Sequence, residues 1–343
     1  MALEVWKMKI LSPIDKVDEV EEVIKAGADE LYCGVLLRDW LSKYTIAAVN
    51  RRPAGIANLK SFDELKNCVD IAHSYSVPVC LTINEHYYTQ EQYPLLFGYV
   101  EAAINAGTDS FLISDPALIL ALREKNLKIA IHVSTGGVTF NAETARFYQS
   151  LGALRITIPR HLTIREIAEL VKKSPGIEKC VFILNSRCPN EDGLCTFMHI
   201  QSGDPSYQNA CLLPYSVRLL TPESGDTEFD EAKTKREIVS CVRQQVWSRF
   251  HMDDVPCGAC ALYEFAEMGI GAVKIVGRGN PTWRKVTDVR FIRLLLGILR
   301  DKSVSREAYR EQAQGLYGHI YQRPCRTALC YYPEVMSPEV QVN

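Results

Sequence analysis

The cysteines are the residues of this chain best suited to chemistry. Of 12 cysteines in 343 residues, six fall between positions 186 and 260. Cys257 and Cys260 are separated by two residues, which lets two thiolates reach one metal ion, whereas Cys188, Cys195 and Cys211 are irregularly spaced. Zinc sites usually combine two closely spaced pairs, and irregular spacing within one loop suits a [4Fe–4S] cluster better. The spacing therefore favours an iron–sulfur cluster, with zinc or no metal as the alternatives.

The remaining cysteines give weaker signals. Cys68 and Cys80 lie among apolar residues, which favours small buried hydrophobic side chains. Cys325 and Cys330 lie in the tail, where no neighbouring residue completes a set of four ligands. We therefore predict that this tail pair consists of free thiols.

The elements that position these residues repeat along the chain. Eight short runs, most of them continuously apolar, alternate with amphipathic helical patterns, as expected for strands buried on both faces of a parallel sheet. This alternation favours a (β/α)8 TIM-type barrel over a doubly wound open sheet. The predicted strands are Lys9–Ile14, Glu30–Val35, Pro78–Asn84, Ser110–Asp115, Lys128–Ser134, Arg155–Pro159, Cys180–Asn185 and Ala272–Gly277.

Two segments of the chain are additional to a (β/α)8 barrel. A turn-rich Cys-rich insertion at 186–260 follows strand seven, on the face where barrel enzymes build their sites. A strongly apolar helix, Phe291–Leu299, opens the tail. We predict a barrel domain over 1–285, including the insertion, and a helical C-terminal extension over 286–343.

Polar residues at the carboxyl ends of the strands are the candidates for catalysis. The sequence predicts catalytic roles for His132, Arg160, His161 and Arg278. A core position is the alternative for His132, and Arg160 with His161 either binds an anion or is structural. Asn84, Asp115, Ser134 and Asn185 end strands in the same way, although an aspartate before Pro116 is also a typical helix N-cap.

Composition limits the functional classes. The net charge is -2, so the chain as a whole has no electrostatic footprint of a nucleic-acid-binding protein. The basic pairs Arg51-Arg52 and Arg284-Lys285 are expected on solvated surfaces. No apolar run reaches the roughly 18 residues of a membrane span, and no export signal is recognisable at the start. We expect a cytoplasmic protein.

The residues around the first cysteines also carry a family resemblance. The stretch Phe182-x-x-Asn185-Ser186-Arg187-Cys188-x4-Gly193-x-Cys195 resembles the signature of the U32 peptidase family, the collagenase-like proteins. Val273-Lys274-Ile275-Val276-Gly277-Arg278 and several barrel stretches agree with it in the same order. The resemblance implies a barrel and a [4Fe–4S] cluster held by Cys188, Cys195, Cys211 and Cys257, with Cys260 as the alternative fourth ligand.

The resemblance also implies a reaction class. Relatives hydroxylate RNA bases or ubiquinone precursors without oxygen, and prephenate is the implied oxygen donor. Lys274 and Arg278 on strand eight would suit such a dicarboxylate. We predict oxygen-independent hydroxylation of a small-molecule or RNA acceptor.

Two other functions stay open at this stage. One is a U32-type peptidase, although the sequence has neither His-Glu-x-x-His nor Gly-x-Ser-x-Gly. The other is a non-catalytic iron–sulfur subunit that forms a homodimer or a heterodimer with a related chain. The apolar helix Phe291–Leu299 would be its interface, with packing against the barrel as the alternative.

Overall fold

Eight parallel strands close into a barrel at the centre of the computed structural model, which describes residues 8–44, 49–52, 57–185, 188, 191–194, 255–326 and 329–336. The strands follow one another in chain order, and the eighth pairs with the first. The predicted (β/α)8 barrel is confirmed, and each predicted strand overlaps an observed one. The strands are β1 (Lys9–Pro13), β2 (Glu30–Cys33), β3 (Val79–Ile83), β4 (Ser110–Ile113), β5 (Ala130–Val133), β6 (Arg155–Thr157), β7 (Glu178–Leu184) and β8 (Ala272–Ile275).

Helices connect the strands, and polar side chains set where several of them begin. Glu166 accepts a hydrogen bond from the Thr163 N–H at 2.8 Å, while Thr163 Oγ1 accepts one from the Glu166 N–H. Such caps satisfy amides that have no partner within the helix. The described helices are α1 (Val20–Ala26), α2 (Arg38–Lys43), α3 (Phe62–Ser74), α4 (Tyr93–Asn105), α5 (Pro116–Glu124), α6 (Ala142–Ser150), α7 (Ile164–Lys173), α8 (Leu262–Met268), α9 (Thr282–Ile298) and α10 (Arg306–Tyr321).

A charged network closes the amino-terminal end of the barrel. Arg155, only 2% exposed, donates to Glu30 Oε1 at 2.8 Å and to Glu178 Oε2 at 2.6 Å. Lys9 Nζ lies 3.0 Å from Glu30 Oε1. Buried charges are tolerated when they are paired and hydrogen-bonded, as they are here. This end of the barrel is therefore structural.

Helix α9 follows β8 and packs against α1 and β1. Lys285, 1% exposed, lies 2.7 Å from Glu19 Oε1 and 3.1 Å from Asp15 Oδ2. The solvated surface predicted for Lys285 is wrong, because these two buried carboxylates require a cation between the first and last units of the barrel. The predicted domain boundary at 285/286 falls inside α9.

The tail after α9 returns to strand β7. Helix α10 packs on α9, and the chain beyond it forms an isolated parallel bridge between Cys330 and Cys257. The Tyr332 hydroxyl donates to the main-chain oxygen of Phe182 at 3.1 Å. The predicted helical extension thus continues beyond α10 into an irregular segment anchored over β7, and its last described residues, Pro333–Met336, form a short 3-10 helix.

Most of the predicted insertion lies outside the described residues. The structure describes residue 188 and residues 191–194 and 255–260 of it, so Cys195 and Cys211 fall outside. Within the described part of the chain, no helix combines the length and the apolar character needed to cross a membrane.

Candidate active site

Arg278, three residues beyond β8, crosses the carboxyl ends of the strands. Its Nη1 donates to Thr82 Oγ1 of β3 at 2.7 Å, and its Nη2 donates to the main-chain oxygen of Asn50 at 2.8 Å. Gly34, next to β2, makes this approach possible, because a Cβ there would lie 2.2 Å from Arg278 Nη1. The structure places Arg278 on the face where the sequence predicted it.

Lys274 lies below Arg278, inside the barrel. Its Nζ lies 4.2 Å from the ring centroid of Tyr32 and 5.9 Å from that of Phe182, so two aromatic faces contact the cation. Burial lowers the pKa of Lys274 to about 8, and the positive charges of Arg278 and Arg52 act in the same direction. Lys274 is therefore a cation that can lose its proton close to neutral pH.

Arg52 is the third cation at the mouth, and sequence reasoning missed it. It is half-buried rather than solvated, and burial, together with the charge of Arg278, lowers its pKa to about 10. In the part of the chain that the structure describes, no carboxylate forms a salt bridge with Arg52, Lys274 or Arg278. The sequence feature that could have pointed to Arg52 is its position in the connection after β2. Connections that follow the strands lie on the face where barrel enzymes build their sites.

Arg160, which follows β6, is paired with an aspartate. Its Nη2 lies 2.7 Å from Asp192 Oδ1 and its Nε lies 3.0 Å from Asp192 Oδ2, while its guanidinium carbon stacks 4.5 Å from the Phe182 ring centroid. The attraction of Arg160 outweighs burial and lowers the pKa of Asp192 to about 2. His161 Nδ1 accepts from the Asp192 N–H at 3.4 Å. Asp192 thus occupies the anion position that the sequence predicted at Arg160 and His161.

His132 lies in the barrel wall, opposite Leu112 of β4 and Arg155 of β6. Burial lowers its pKa to about 3, and Arg155 adds to this effect. The charges acting on its ring include Arg155, Glu30 and Lys9 of the amino-terminal network. A catalytic role for His132 stays a prediction.

His86, beyond β3, is a mouth residue that the sequence analysis did not select. Both of its ring nitrogens are buried without a hydrogen-bond partner among the described residues, although the backbone of Gly136 lies close. Burial lowers its pKa to about 4, so the imidazole is neutral at pH 7. Nearby, Asn84 Nδ2 donates to Ser134 Oγ at 3.2 Å, while Asn84 Oδ1 is buried and finds no hydrogen-bond partner in the described part of the chain. The sequence feature that could have pointed to His86 is the run of polar residues directly after β3.

Two other strand-end candidates have structural partners. Asp115 Oδ1 accepts from the Ala117 N–H at 2.9 Å, as an N-cap does. Asn185 Nδ2 donates to Asp288 Oδ2 at 2.7 Å and to the main-chain oxygen of Val276 at 3.0 Å. These contacts leave the cationic residues and His86 as the groups best placed for a ligand.

Comparison with known proteins identifies the family. The model of peptidase family U32 matches residues 15–335. The chain belongs to this family. The tRNA hydroxylation protein P of Haemophilus influenzae is 27% identical over 227 residues, covering 65% of this chain and 45% of that protein. The 23S rRNA 5-hydroxycytidine synthase of Escherichia coli is 24% identical over 223 residues, covering 64% of this chain and 31% of that protein.

This U32 chain spans about half the length of the curated relatives it matches. Among solved structures, the U32 peptidase Mk0906 is 14% identical with a TM-score of 0.44, covering 80% of this chain and 94% of that one.

The two predicted cluster ligands that the structure describes lie at the carboxyl end of β7. Cys188 follows β7, is half-exposed and interacts electrostatically with Arg160, while Cys257 pairs with Leu184 in an antiparallel bridge. This placement fits a cluster at the barrel mouth. No three His, Cys, Asp or Glu side chains of the described ranges are grouped as a metal site. The ligand set, including Cys195 and Cys211, stays a prediction.

Proposed function

We propose that this U32 chain is an enzyme that hydroxylates an RNA base without oxygen, using a [4Fe–4S] cluster and prephenate or a similar dicarboxylate as oxygen donor. The observation that carries the proposal is the barrel mouth, where Arg52, Lys274 and Arg278 have no salt bridge within the described residues. The names of the tRNA- and rRNA-hydroxylating relatives support an RNA acceptor.

The three cations suit an anionic donor. Guanidinium groups bind carboxylates through pairs of charge-assisted hydrogen bonds, and a lysine adds a point charge. Burial, together with the charges of Arg278 and Arg52, lowers the pKa of Lys274, and a bound dicarboxylate would favour its protonated form. Tyr32 and Phe182 present apolar faces beside this charge and would contact the ring of such a donor.

The cluster would be held by Cys188, Cys195 and Cys211, with the fourth position predicted for Cys257 or Cys260. When bound, the cluster would supply electrons to the donor or polarise it. The chain's own contribution is to hold the segment that carries Cys188 against β6, through the forked ion pair between Arg160 and Asp192.

The acceptor base would meet His86 and Asn84. Neutral imidazole and amide groups can donate to or accept from the edge of a base, and both residues carry polar atoms without a hydrogen-bond partner among the described residues. Because the net charge is -2, RNA binding would depend on the local charge of the mouth.

The test uses anaerobically purified and reconstituted protein, incubated with unmodified RNA and prephenate, followed by mass spectrometry of the nucleosides. We expect a hydroxylated nucleoside with the native chain. Arg278→Met should weaken prephenate binding by about tenfold or more, because it removes a charge-assisted contact. Arg146→Met on the exposed surface is the matched control. If native protein binds no prephenate and modifies no RNA, the proposal is wrong.

The two other functions remain predictions. Within the predicted interface helix α9, Phe291, Ile292 and Leu295 are buried in the chain itself, while Leu294 is exposed. This burial supports packing against the barrel as the main role of the helix. No contact of the described residues specifically favours a peptidase.

A further inference from the structure

Lys274 is one of three buried lysines in the described part of the chain, and its surroundings differ from those of the other two. Lys285 lies between two carboxylates, and Lys179 donates to the main-chain oxygen of Ser174. Lys274 contacts two aromatic rings instead, and no carboxylate of the described residues forms a salt bridge with it. Because an ammonium without a counter-charge is costly to bury, packing alone does not account for Lys274.

The alternation of side chains along β8 directs Lys274 into the barrel. Ala272, two residues earlier, belongs to a cluster of buried interior side chains that also contains Tyr32, Cys80 and Cys180. Residues two apart on a strand point to the same face, so Lys274 lies in the interior, one step closer to the carboxyl ends of the strands. The amine therefore lies above an apolar layer and below the barrel mouth.

A lysine in these surroundings is available as a nucleophile. Burial lowers the pKa of Lys274 to about 8, and Arg278 and Arg52 act in the same direction, whereas Cys180 and Cys80 act in the opposite one. At neutral pH the free amine is then roughly 300-fold more abundant than for an exposed lysine of pKa 10.5. Lysines that form Schiff bases are activated in the same two ways, by an apolar pocket and by a neighbouring cation.

The guanidinium of Arg278 lies within reach of the same ligand. Its Nη1 approaches Gly34, two residues beyond Tyr32, while Lys274 Nζ lies 4.2 Å from the Tyr32 ring centroid. Two residues of a strand span roughly 7 Å. A carboxylate bound by Arg278 would therefore hold the neighbouring carbon atom of its ligand close to the Lys274 amine, with the ring of Phe182 beside it.

We propose that Lys274 forms a Schiff base with the ketone of a 2-oxo acid whose carboxylate is bound by Arg278. The amine nitrogen attacks the carbonyl carbon, a C–N bond forms, and the carbonyl oxygen leaves as water with the two amine protons. Protonation of the imine by solvent gives an iminium, and no oxidant or reductant is consumed. The iminium keeps the positive charge of the lysine, and an apolar substituent of the acid would contact the rings of Tyr32 and Phe182.

The Schiff base rests on the proposed function only for the identity of its ligand as the oxygen donor. Prephenate fits this chemistry because one of its two carboxylates belongs to a 2-oxo acid side chain. Formation of the Schiff base requires neither the cluster nor RNA. The Schiff base and the hydroxylation can therefore fail independently of each other.

The experiment traps the adduct with cyanoborohydride, which reduces a protonated imine to a stable secondary amine. Full-length reconstituted protein is incubated with phenylpyruvate, digested and analysed by peptide mass spectrometry. We expect the peptide that contains Lys274 to gain the mass of the acid, less one water and plus the hydrogen from the reductant, in most chains. Phenyllactate, which has a hydroxyl in place of the ketone, should give no adduct.

Two variants locate the reaction. Lys274→Arg keeps the positive charge but cannot form an imine, so it should lose the adduct. Lys302→Arg, which replaces an exposed lysine, is the matched control and should keep it. The peptide map of the native chain identifies the modified lysine by itself, so the test does not depend on the folding of Lys274→Arg.

The absence of an adduct in the native chain, or adducts on other lysines only, would refute the proposal. An adduct that persists in Lys274→Arg would refute it as well. A trapped Lys274 in protein that modifies no RNA would support the Schiff base and contradict the proposed hydroxylation. Prephenate-dependent modification of RNA by native protein that gives no adduct would do the reverse.

Discussion

Lys274 shows how the barrel changes the chemistry of a single residue. An exposed lysine is charged throughout the neutral range, but here burial and two neighbouring arginines lower its pKa to about 8. The lowered pKa makes the charge of the mouth dependent on pH. It also makes Lys274 the group through which the proposed donor site can be tested in solution.

We predict that prephenate affinity falls as the pH rises through about 8, because the ammonium of Lys274 is protonated below this pH and neutral above it. Loss of one charge-assisted contact weakens binding by roughly 1.5–3 kcal/mol, about tenfold or more. Isothermal titration calorimetry on either side of the shifted pKa measures the effect. Lys274→Arg keeps its charge and should remove most of this pH dependence. A flat profile in the native protein would contradict the prediction.

Replacement of Glu30 measures how much the charged network at the amino-terminal end of the barrel contributes to stability. Hydrogen bonds and charge from Arg155 outweigh burial and lower the pKa of Glu30 from 4.5 to about 2. A lowered pKa in the folded state contributes stability that is present above the unfolded value and lost as the pH falls toward 2. Glu30→Gln should lower the free energy of unfolding by about 3 kcal/mol at neutral pH, because Arg155 loses its buried counter-charge.

Urea unfolding measures this difference, which should shrink at low pH, where native Glu30 becomes protonated. Glu178→Gln is the matched control. Its carboxylate contacts the same arginine but is 30% exposed, so about 1 kcal/mol or less is expected. Equal losses in the two variants would show that burial does not set the strength of the network.

At the scale of elements, local signals predicted the strands and the helix starts, because period and capping depend on residues close in sequence. Asp115 forms the N-cap that the sequence indicated, by accepting a hydrogen bond from the Ala117 N–H. The tail had no such signal. Its bridge to Cys257 joins residues more than 70 positions apart, so only tertiary packing brings them together. The tail cysteines were therefore predicted as free thiols.

The contact between the tail and the Gly258 turn gives a prediction about these elements. In Gly258→Ala, the new Cβ would meet the Tyr332 ring at 2.8 and 2.9 Å, so the free energy of unfolding should fall by about 2 kcal/mol. Gly315→Ala in α10 meets no atom within 4 Å and should raise it by about 0.5–1 kcal/mol. Urea unfolding compares the two variants, and limited proteolysis checks release of the tail. If Gly258→Ala leaves the free energy of unfolding unchanged, the tail does not pack closely against the turn.

At the scale of the whole molecule, the net charge of -2 does not report the local charge of any one surface. The fold places basic and acidic residues in different parts of the molecule, whereas the net charge only sums them. Arg52 and Lys285 were both expected in solvent, yet Arg52 lies half-buried beside Lys274 and Arg278 and Lys285 lies in a buried ionic contact. Sequence patterns predicted which face carries the site and placed Arg278 on it. They could not predict partners that belong to distant elements, such as Asp192 for Arg160.

Lys285 connects the first and last units of the barrel, so its replacement tests closure of the whole molecule. Lys285→Met would leave the carboxylates of Asp15 and Glu19 buried without their cation, and the free energy of unfolding should fall by about 3–5 kcal/mol. Asp15 also accepts the Gly279 N–H, next to Arg278, so prephenate affinity should fall as well. Urea unfolding and calorimetry measure the two effects, with exposed Lys302→Met as control. If both variants behave alike, the ionic contact of Lys285 contributes nothing, and the pairing of β1 with β8 and the packing of α9 against α1 and β1 close the barrel without it.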